Sequence, residues 1–361
     1  MNLAFHSSFL IPHSSLSIRL HILGHPSLPL DLVSHPEDSQ LFNCWNFCQL
    51  AEVLGIDYAY YGLSGSTLPP GTHGTIVELG KATCKWSFRN HWHLTYTKRL
   101  EEALKKYLRD DGEPEWIASI YGVAQCDIST IPHTLPIFEP MLGYGTCWTH
   151  YRVFPSYAHQ AFIYTRQPET RKDRFFDTVI PHFVNPDDYP LGVPEAEREG
   201  LIYLGRDAVD KGIAIAREVA QASGMPFQEV FHGVGGADKA RLLGHAKAVL
   251  MPTLYLEPFG YVAIEAMLCG TPVIATDWGS FPELIQHGIN GFRCRTQAEF
   301  VMAAQSCGGL DRTAIRSEAC KRFSVTAVAP RYQEYLSYIW KIHRNGGYYA
   351  MDAIHFPNYP Q

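Results

Sequence analysis

Four side chains in the second half of the sequence stand out by type and spacing. In LIYLGRDAVDKG, Arg206 and Lys211 bracket a short turn, and in LEPFGYVAIEAMLCGTPV, Glu257 and Glu265 stand eight residues apart beside Pro258 and Gly260. Two cations at a strand-to-helix turn suit a diphosphate leaving group, whose charge grows as the bond to it breaks. Asp210 is placed to cap the helix that follows. Pro258 reads as the first residue of another helix, which leaves the amides of Phe259, Gly260 and Tyr261 as first-turn donors. Gly260 lets a ligand approach that backbone closely, so the helix start is a ready anion site. Glu265 would then lie two turns further on, about 12 Å along the axis at roughly 1.5 Å per residue. A carboxylate at each end of such a span fits an extended ligand with a diphosphate in its middle. A nucleotide sugar has that form, with ribose hydroxyls on Glu265 and the sugar on Glu257.

These residues need a scaffold that brings turns together. SIRLHILG (17–24) reads as a buried strand, SQLFNCWNFCQLAEVLG as a helix stopped by Gly55, and IDYAYYG as the next strand. This is β-α-β order, continued by the strand candidates WIASIYG and DTVIPHFV. The stretch 185–199 is dense in Pro, Gly and acid and reads as a linker. After it, strands LIYLG, FQEVFHG, AVLMPT and TPVIAT alternate with helices KGIAIAREVAQASG, DKARLLGHA, PFGYVAIEAMLCG and FPELIQHG. The chain therefore divides into an acceptor-side domain over 16–184, the linker, a ligand-binding domain over 200–330, and a tail over 331–361. The tail carries an apolar stripe of Tyr332, Tyr335, Leu336, Ile339, Trp340 and His343, and so it packs against something. Two α/β domains leave a cleft at the carboxyl ends of their sheets, where a ligand belongs.

With 361 residues, 46% apolar and 18% charged, the chain has material for two cores. A formal charge of −6 gives no basic field, so no nucleic-acid partner is expected. The nine cysteines are odd in number and sit mostly in apolar runs, which fits reduced thiols in the cytoplasm. No run is long enough to span a bilayer, and residues 1–15 read as a loose extension rather than a signal peptide. The segment 81–109 holds eight Lys or Arg against two Glu. It is open to two readings: a solvated helix face, with Glu101 and Glu102 beside Lys105 and Lys106, or a weak peripheral contact with an anionic membrane.

EPFGYVAIE, AMLCGTPVIATD and PELIQHGINGF, together with the Gly-Arg and Lys-Gly of LIYLGRDAVDKG, resemble the retaining GT-B glycosyltransferases of family 4, or group 1. The resemblance is strong over 201 to about 300. It implies two Rossmann-like domains, a donor nucleotide held mainly by the second, and a terminal helix that crosses back to the first. Position by position it gives Arg206 and Lys211 to the diphosphate, Glu257 to the donor sugar and Glu265 to the ribose. The Phe259 and Gly260 backbone then lines phosphate and sugar, with Tyr261 beside it, and Val234 lies where the base rests. It further implies retention of anomeric configuration, with attack on the face of the departing phosphate and the leaving group helping to deprotonate the acceptor hydroxyl. No protein nucleophile is then required. No Asp-x-Asp triplet occurs, so no obligatory metal is expected. Better-known members have a glycine-rich turn after the first strand; here the turn LGHPSLP offers Gly24, with His25 as a substitute contact. Glu139, Tyr144, His150 and His159 are acceptor-side candidates, and His150 is taken into the catalytic set.

Simpler roles stand beside these. Glu257 suits the positive end of its helix, Glu265 a neighbouring loop, and Glu283 its own helix's first turn. GVGGAD (233–238) lacks the third glycine of a dinucleotide fingerprint. Besides a glycosyltransferase, two readings remain: a sugar-nucleotide epimerase and a catalytically silent nucleotide-sugar-binding partner. The donor's base and sugar, and the hydroxyl acceptor, are not named by the sequence.

Overall fold

The computed structural model describes residues 19–109, 111–130, 134–167 and 174–347. The expected N-terminal extension and the end of the tail lie outside these residues.

The first sheet contains β1 (Arg19–Leu23), β2 (Asp57–Gly62), β3 (Gly74–Glu78), β4 (Glu115–Ser119), β5 (Ile137–Glu139), β6 (Tyr151–Phe154) and β7 (Thr178–Val179). Their order is β3-β2-β1-β4-β5-β6-β7, all parallel. The second sheet contains β8 (Glu199–Leu204), β9 (Phe227–Val230), β10 (Ala246–Met251), β11 (Val273–Thr276) and β12 (Gly291–Cys294). It runs β12-β11-β10-β8-β9, again parallel. The order reverses between β1 and β4 in one sheet and between β8 and β10 in the other. In open α/β sheets, ligand crevices form beyond the strand ends at such points.

Both faces of each sheet are covered, as parallel sheets require. In the first, Leu20, Ile22, Tyr58, Tyr60, Trp116 and Ala118 pack on helix α1 (Ser39–Leu54), while Leu23, Ala59, Tyr61 and Ile117 pack on α2 (His91–Tyr107). The alternation is the two-residue period of a strand. Asp38 caps α1 through the amides of Gln40 and Leu41, and Gly55 ends it in the left-handed region, where the sequence places the stop. α3 (Tyr157–Arg166) completes the first domain's helices.

The second sheet is flanked by α4 (Ile213–Ser223), α5 (Gly236–His245), α6 (Tyr261–Leu268), α7 (Phe281–Leu284), α8 (Gln297–Ser306) and α9 (Arg312–Phe323). A final helix, α10 (Val325–Arg344), returns to the first domain. Tyr332, Tyr335, Leu336 and Ile339 are buried there against α1 and the sheet, and Trp116 Nε1 donates to the Leu336 carbonyl at 3.2 Å. The chain crosses between domains twice, and the two crossings run side by side: Val184 donates to Phe323 O, and Val325 donates to Val184 O.

Several local readings differ. DTVIPHFV pairs only over Thr178–Val179, because Pro181 has no amide to extend the ladder. β3, β5 and β6 are strands that periodicity did not mark; β3 is an edge with mostly exposed or half-buried residues. FPELIQHG forms one turn, since Ile285 is already extended. Glu102 pairs with Lys98, one turn before it, at 4.0 Å on an exposed face, rather than with the expected Lys106 one turn after it. Among the described residues, no helix is long and apolar enough to cross a membrane.

Candidate functional site

Between the domains lies a cleft of about 510 Å³. It is lined by the segment after β1 (Leu32, Pro36 to Gln40, Phe42, Asn43), the turn after β8 (Gly205, Arg206, Asp210, Lys211) and the segment after β10 (Thr253, Tyr255, Glu257 to Tyr261). Of the sequence candidates, Arg206, Lys211, Val234, Glu257, Phe259, Gly260, Tyr261 and Glu265 line it; Gly24 and His150 do not.

Lys211 is positioned by backbone geometry. Val209–Lys211 forms a 3-10 turn, and Gly212 follows at φ 74°, where a Cβ would meet the Pro252 carbonyl at 2.0 Å. Leu254 N donates to Asp210 O at 2.8 Å, which locks this turn against the strand exit. Asp210 is thus inside the turn and caps no helix: α4 starts after Gly212 with no side-chain cap. Its carboxylate faces Arg206 at 3.5 Å on the exposed rim.

From this turn the Lys211 ammonium reaches the Tyr255 hydroxyl at 2.6 Å and Glu257 Oε2 at 2.8 Å. Tyr255 donates to the same Glu257 oxygen at 2.6 Å. Burial, and then the Glu257 charge, raise the Tyr255 pKa, so its phenol stays a donor. Glu257 Oε1 has no protein partner among the described residues.

The helix expected from Pro258 begins at Tyr261. Gly260 adopts φ 94°, a left-handed conformation that glycine tolerates and that interrupts a helix. Ser280 holds the preceding segment, its amide donating to Glu257 O at 3.0 Å and its hydroxyl to Phe259 O at 2.6 Å. The Phe259 ring is buried against His182, Tyr261 and Phe323, so this residue is an anchor as well as a lining group. Tyr261 stacks on His182 and donates to Asn43 Oδ1 of the first domain at 2.6 Å.

Glu265 therefore sits four residues after Tyr261, inside a helix that does not contain Glu257, and the two-turn span is corrected. Its side chain is fully buried and accepts from Lys239 Nζ at 2.7 Å and from the Tyr189 hydroxyl at 2.8 Å. A buried carboxylate needs such partners. Lys239, Tyr189 and Tyr255 were missed in the sequence. Lys239 lies near the start of α5, but no local spacing links it to a residue twenty-six positions later.

The first domain presents less to the cleft. Gly24 is held within its own domain: its amide donates to Tyr61 O, and its carbonyl accepts from Tyr96 and Gln125. His25 Nδ1 accepts from the amides of Ser27 and Leu28, shaping the turn; burial lowers its pKa to about 4. Glu139 is buried and gathers Trp148 N, Thr149 N, the Thr149 hydroxyl and the Tyr144 hydroxyl, which makes it a loop organiser. His159 is buried, holds the Tyr144 carbonyl at 3.0 Å, and is lowered to about 4 by burial. His150 is exposed at the start of β6 and outside the cleft lining. His182, unmarked by the sequence reading, does line the cleft; burial lowers it to about 3.

Residues 216–304 match the model of the family described as glycosyl transferases group 1. An uncharacterized glycosyltransferase of Methanocaldococcus jannaschii is 44% identical over 69 residues, 19% of this chain. The chain spans only 17% of that relative's length. Among solved structures, AviGT4, a glycosyltransferase of avilamycin A biosynthesis, superposes with a TM-score of 0.65 at 17% identity, over 90% of this chain and 98% of its own. Anabaena HepE, in complex with UDP and glucose, gives 0.63 at 16%, over 90% and 100%. The fold is GT-B. The family match falls on the second domain of that GT-B fold, from α4 to α8, and so includes Lys239, Glu257 and Glu265. The resemblance to the group 1 family is therefore carried by the second domain.

Proposed function

We propose that the protein is a retaining glycosyltransferase of family 4 that moves a sugar from a nucleoside-diphosphate sugar to a hydroxyl acceptor. The observation that carries this reading is the Lys211, Tyr255 and Glu257 cluster at the switch point of the second sheet, opposite the first domain. Lys211 and Arg206 supply the positive charge that a departing diphosphate needs, and they do so without an obligatory divalent ion. Glu257, with Oε1 open to the cleft, accepts from hydroxyls of the donor sugar. The turn at Phe259 to Tyr261 lines the phosphates, Val234 the base, and Glu265 the ribose. Lys239 and Tyr189 both donate to Glu265 Oε1, while Oε2 has the Lys239 ammonium beside it but accepts no hydrogen bond, so Oε2 is the oxygen left for a ribose hydroxyl.

In this reading the leaving phosphate takes up the acceptor proton on the side it departs from, so configuration is retained. His150 lies outside the cleft lining and is not retained as a catalytic group. HepE is described in complex with UDP and with UDP-glucose, which makes uridine donors the first to test. We also propose a cytoplasmic location, because nine cysteines, mostly in apolar runs, suit a reducing compartment.

Calorimetry with UDP, GDP, ADP and dTDP tests the donor site. Binding of one, with slow hydrolysis of its sugar ester that survives EDTA and is lost in Lys211→Ala, supports the reading. Absence of binding by all four overturns it. Product anomer analysis by NMR decides retention, and co-sedimentation with anionic vesicles decides whether 81–109 contacts a membrane.

A further inference from the structure

The backbone carbonyls of Glu257, Pro258 and Phe259 are all hydrogen bonded, but not from one domain. Ser280, in the second domain, holds those of Glu257 and Phe259. The carbonyl between them, that of Pro258, accepts at 2.7 Å from the hydroxyl of Ser156, which is in the first domain and 102 residues away in sequence.

Ser156 is the N-cap of α3, where its Oγ also accepts from His159 N at 3.0 Å. A helix start leaves four amides without intrahelical partners. Here Gln160 N makes the first intrahelical bond, to Ser156 O; of the amides before it, His159 goes to the Ser156 hydroxyl, and Tyr157 and Ala158 each donate at 2.9 Å to one oxygen of the Glu283 carboxylate. Glu283 belongs to the second domain, in α7, three residues after Ser280. A carboxylate that accepts two amides at a helix N-terminus makes charge-assisted bonds favoured by the helix dipole. Glu283 thus caps a helix of the other domain.

We infer that Glu283 and Ser156 are positioning residues for Glu257. Glu283 fixes the start of α3, α3 holds Ser156 against Pro258, and Pro258 sets the direction of its neighbour Glu257 towards Lys211. The inference rests on the reading of Glu257 as the sugar-side contact.

The test uses full-length Glu283→Gln and Ser156→Ala, with Glu299→Gln, in the separate capping box of α8, as the control for loss of a helix cap. Amide hydrogen exchange without nucleotide should quicken about tenfold at Tyr157 and Ala158 and, in step, at Ala263, whose amide is held by the Gly260 carbonyl, the size expected for losing one charged hydrogen bond. Donor hydrolysis should fall by a similar factor in kcat, while UDP affinity stays within about twofold because Arg206 and Lys211 are untouched. Faster exchange confined to α3 with unchanged kcat overturns the inference, as does the same pattern in Glu299→Gln. If the wild type binds no nucleoside diphosphate, the proposed function falls, and the exchange coupling alone then decides the clasp.

Discussion

The Lys211 ammonium and the Glu257 carboxylate lie 2.8 Å apart, with the Tyr255 hydroxyl bonded to both. The charge that would meet a diphosphate is therefore held in place before any ligand arrives. Its partner is the group proposed to touch the sugar, so the two ends of the reacting bond are addressed by one hydrogen-bonded cluster.

Replacing Lys211 with Ala should weaken nucleoside-diphosphate binding about 10- to 100-fold, the range for a hydrogen bond to a charged group. Tyr255→Phe should do less, since Lys211 keeps its direct bond to Glu257. Isothermal titration of both variants against the preferred diphosphate checks the ranking, and equal losses would contradict it.

Glu265→Ala strands the Lys239 ammonium, whose side chain is only 14% exposed. Breaking a buried pair on one side costs about 3–5 kcal/mol. Lys239→Met in the same chain should recover part of that loss. Urea unfolding of the two single variants and the double variant reads the coupling, and strictly additive losses would show that the pair is not coupled.

Gly212→Ala puts a Cβ where φ is 74° and the Pro252 carbonyl would be 2.0 Å away. A loss of more than about 1 kcal/mol in stability is expected. The displaced turn should also lower diphosphate affinity, since Lys211 is the adjacent residue. A variant with native melting temperature and native affinity would refute this role for the turn.

Acid should destabilise the fold through buried histidines. Burial lowers His25 and His159 to about 4 and His182 to about 3, from 6.5 in the unfolded chain. The folded state thus holds them neutral, while the unfolded chain takes up protons first. Their stabilisation is fully present above about pH 6.5 and is lost as the pH falls towards 4, at up to about 1.4 kcal/mol per pH unit for each histidine. For His25, the Asp38 carboxylate at 3.9 Å opposes part of the shift. Denaturant unfolding at pH 7, 6 and 5 should show the decline. His25→Asn, which keeps an acceptor for Ser27 and Leu28, should make it shallower.

The helix from Ser39 to Leu54, the β/α alternation after 199 and the apolar stripe of the tail were legible because each depends on local periodicity and end signals. Tyr332, Leu336 and Ile339 lie on the buried face that spacing assigned to them. The start of α6 was not legible: Pro258 carries a genuine helix-start preference, but Ser280 and the left-handed Gly260 hold 257–260 in another form. Propensity is a local term of a few tenths to about 1 kcal/mol per residue, and tertiary hydrogen bonds override it.

By itself, then, the sequence determined two parallel α/β units, a cationic turn at Arg206 and Lys211, and a pair of carboxylates near a glycine-containing turn, since residue types and short-range order suffice for these. Tertiary structure alone decided the partners: Lys239 and Tyr189 on Glu265, Tyr255 and Lys211 on Glu257, and Glu283 on a helix of the opposite domain. A charged side chain's partner is set by desolvation and by which elements the fold brings within about 3 Å. That distance is a property of the packed domains, and no spacing along the chain encodes it.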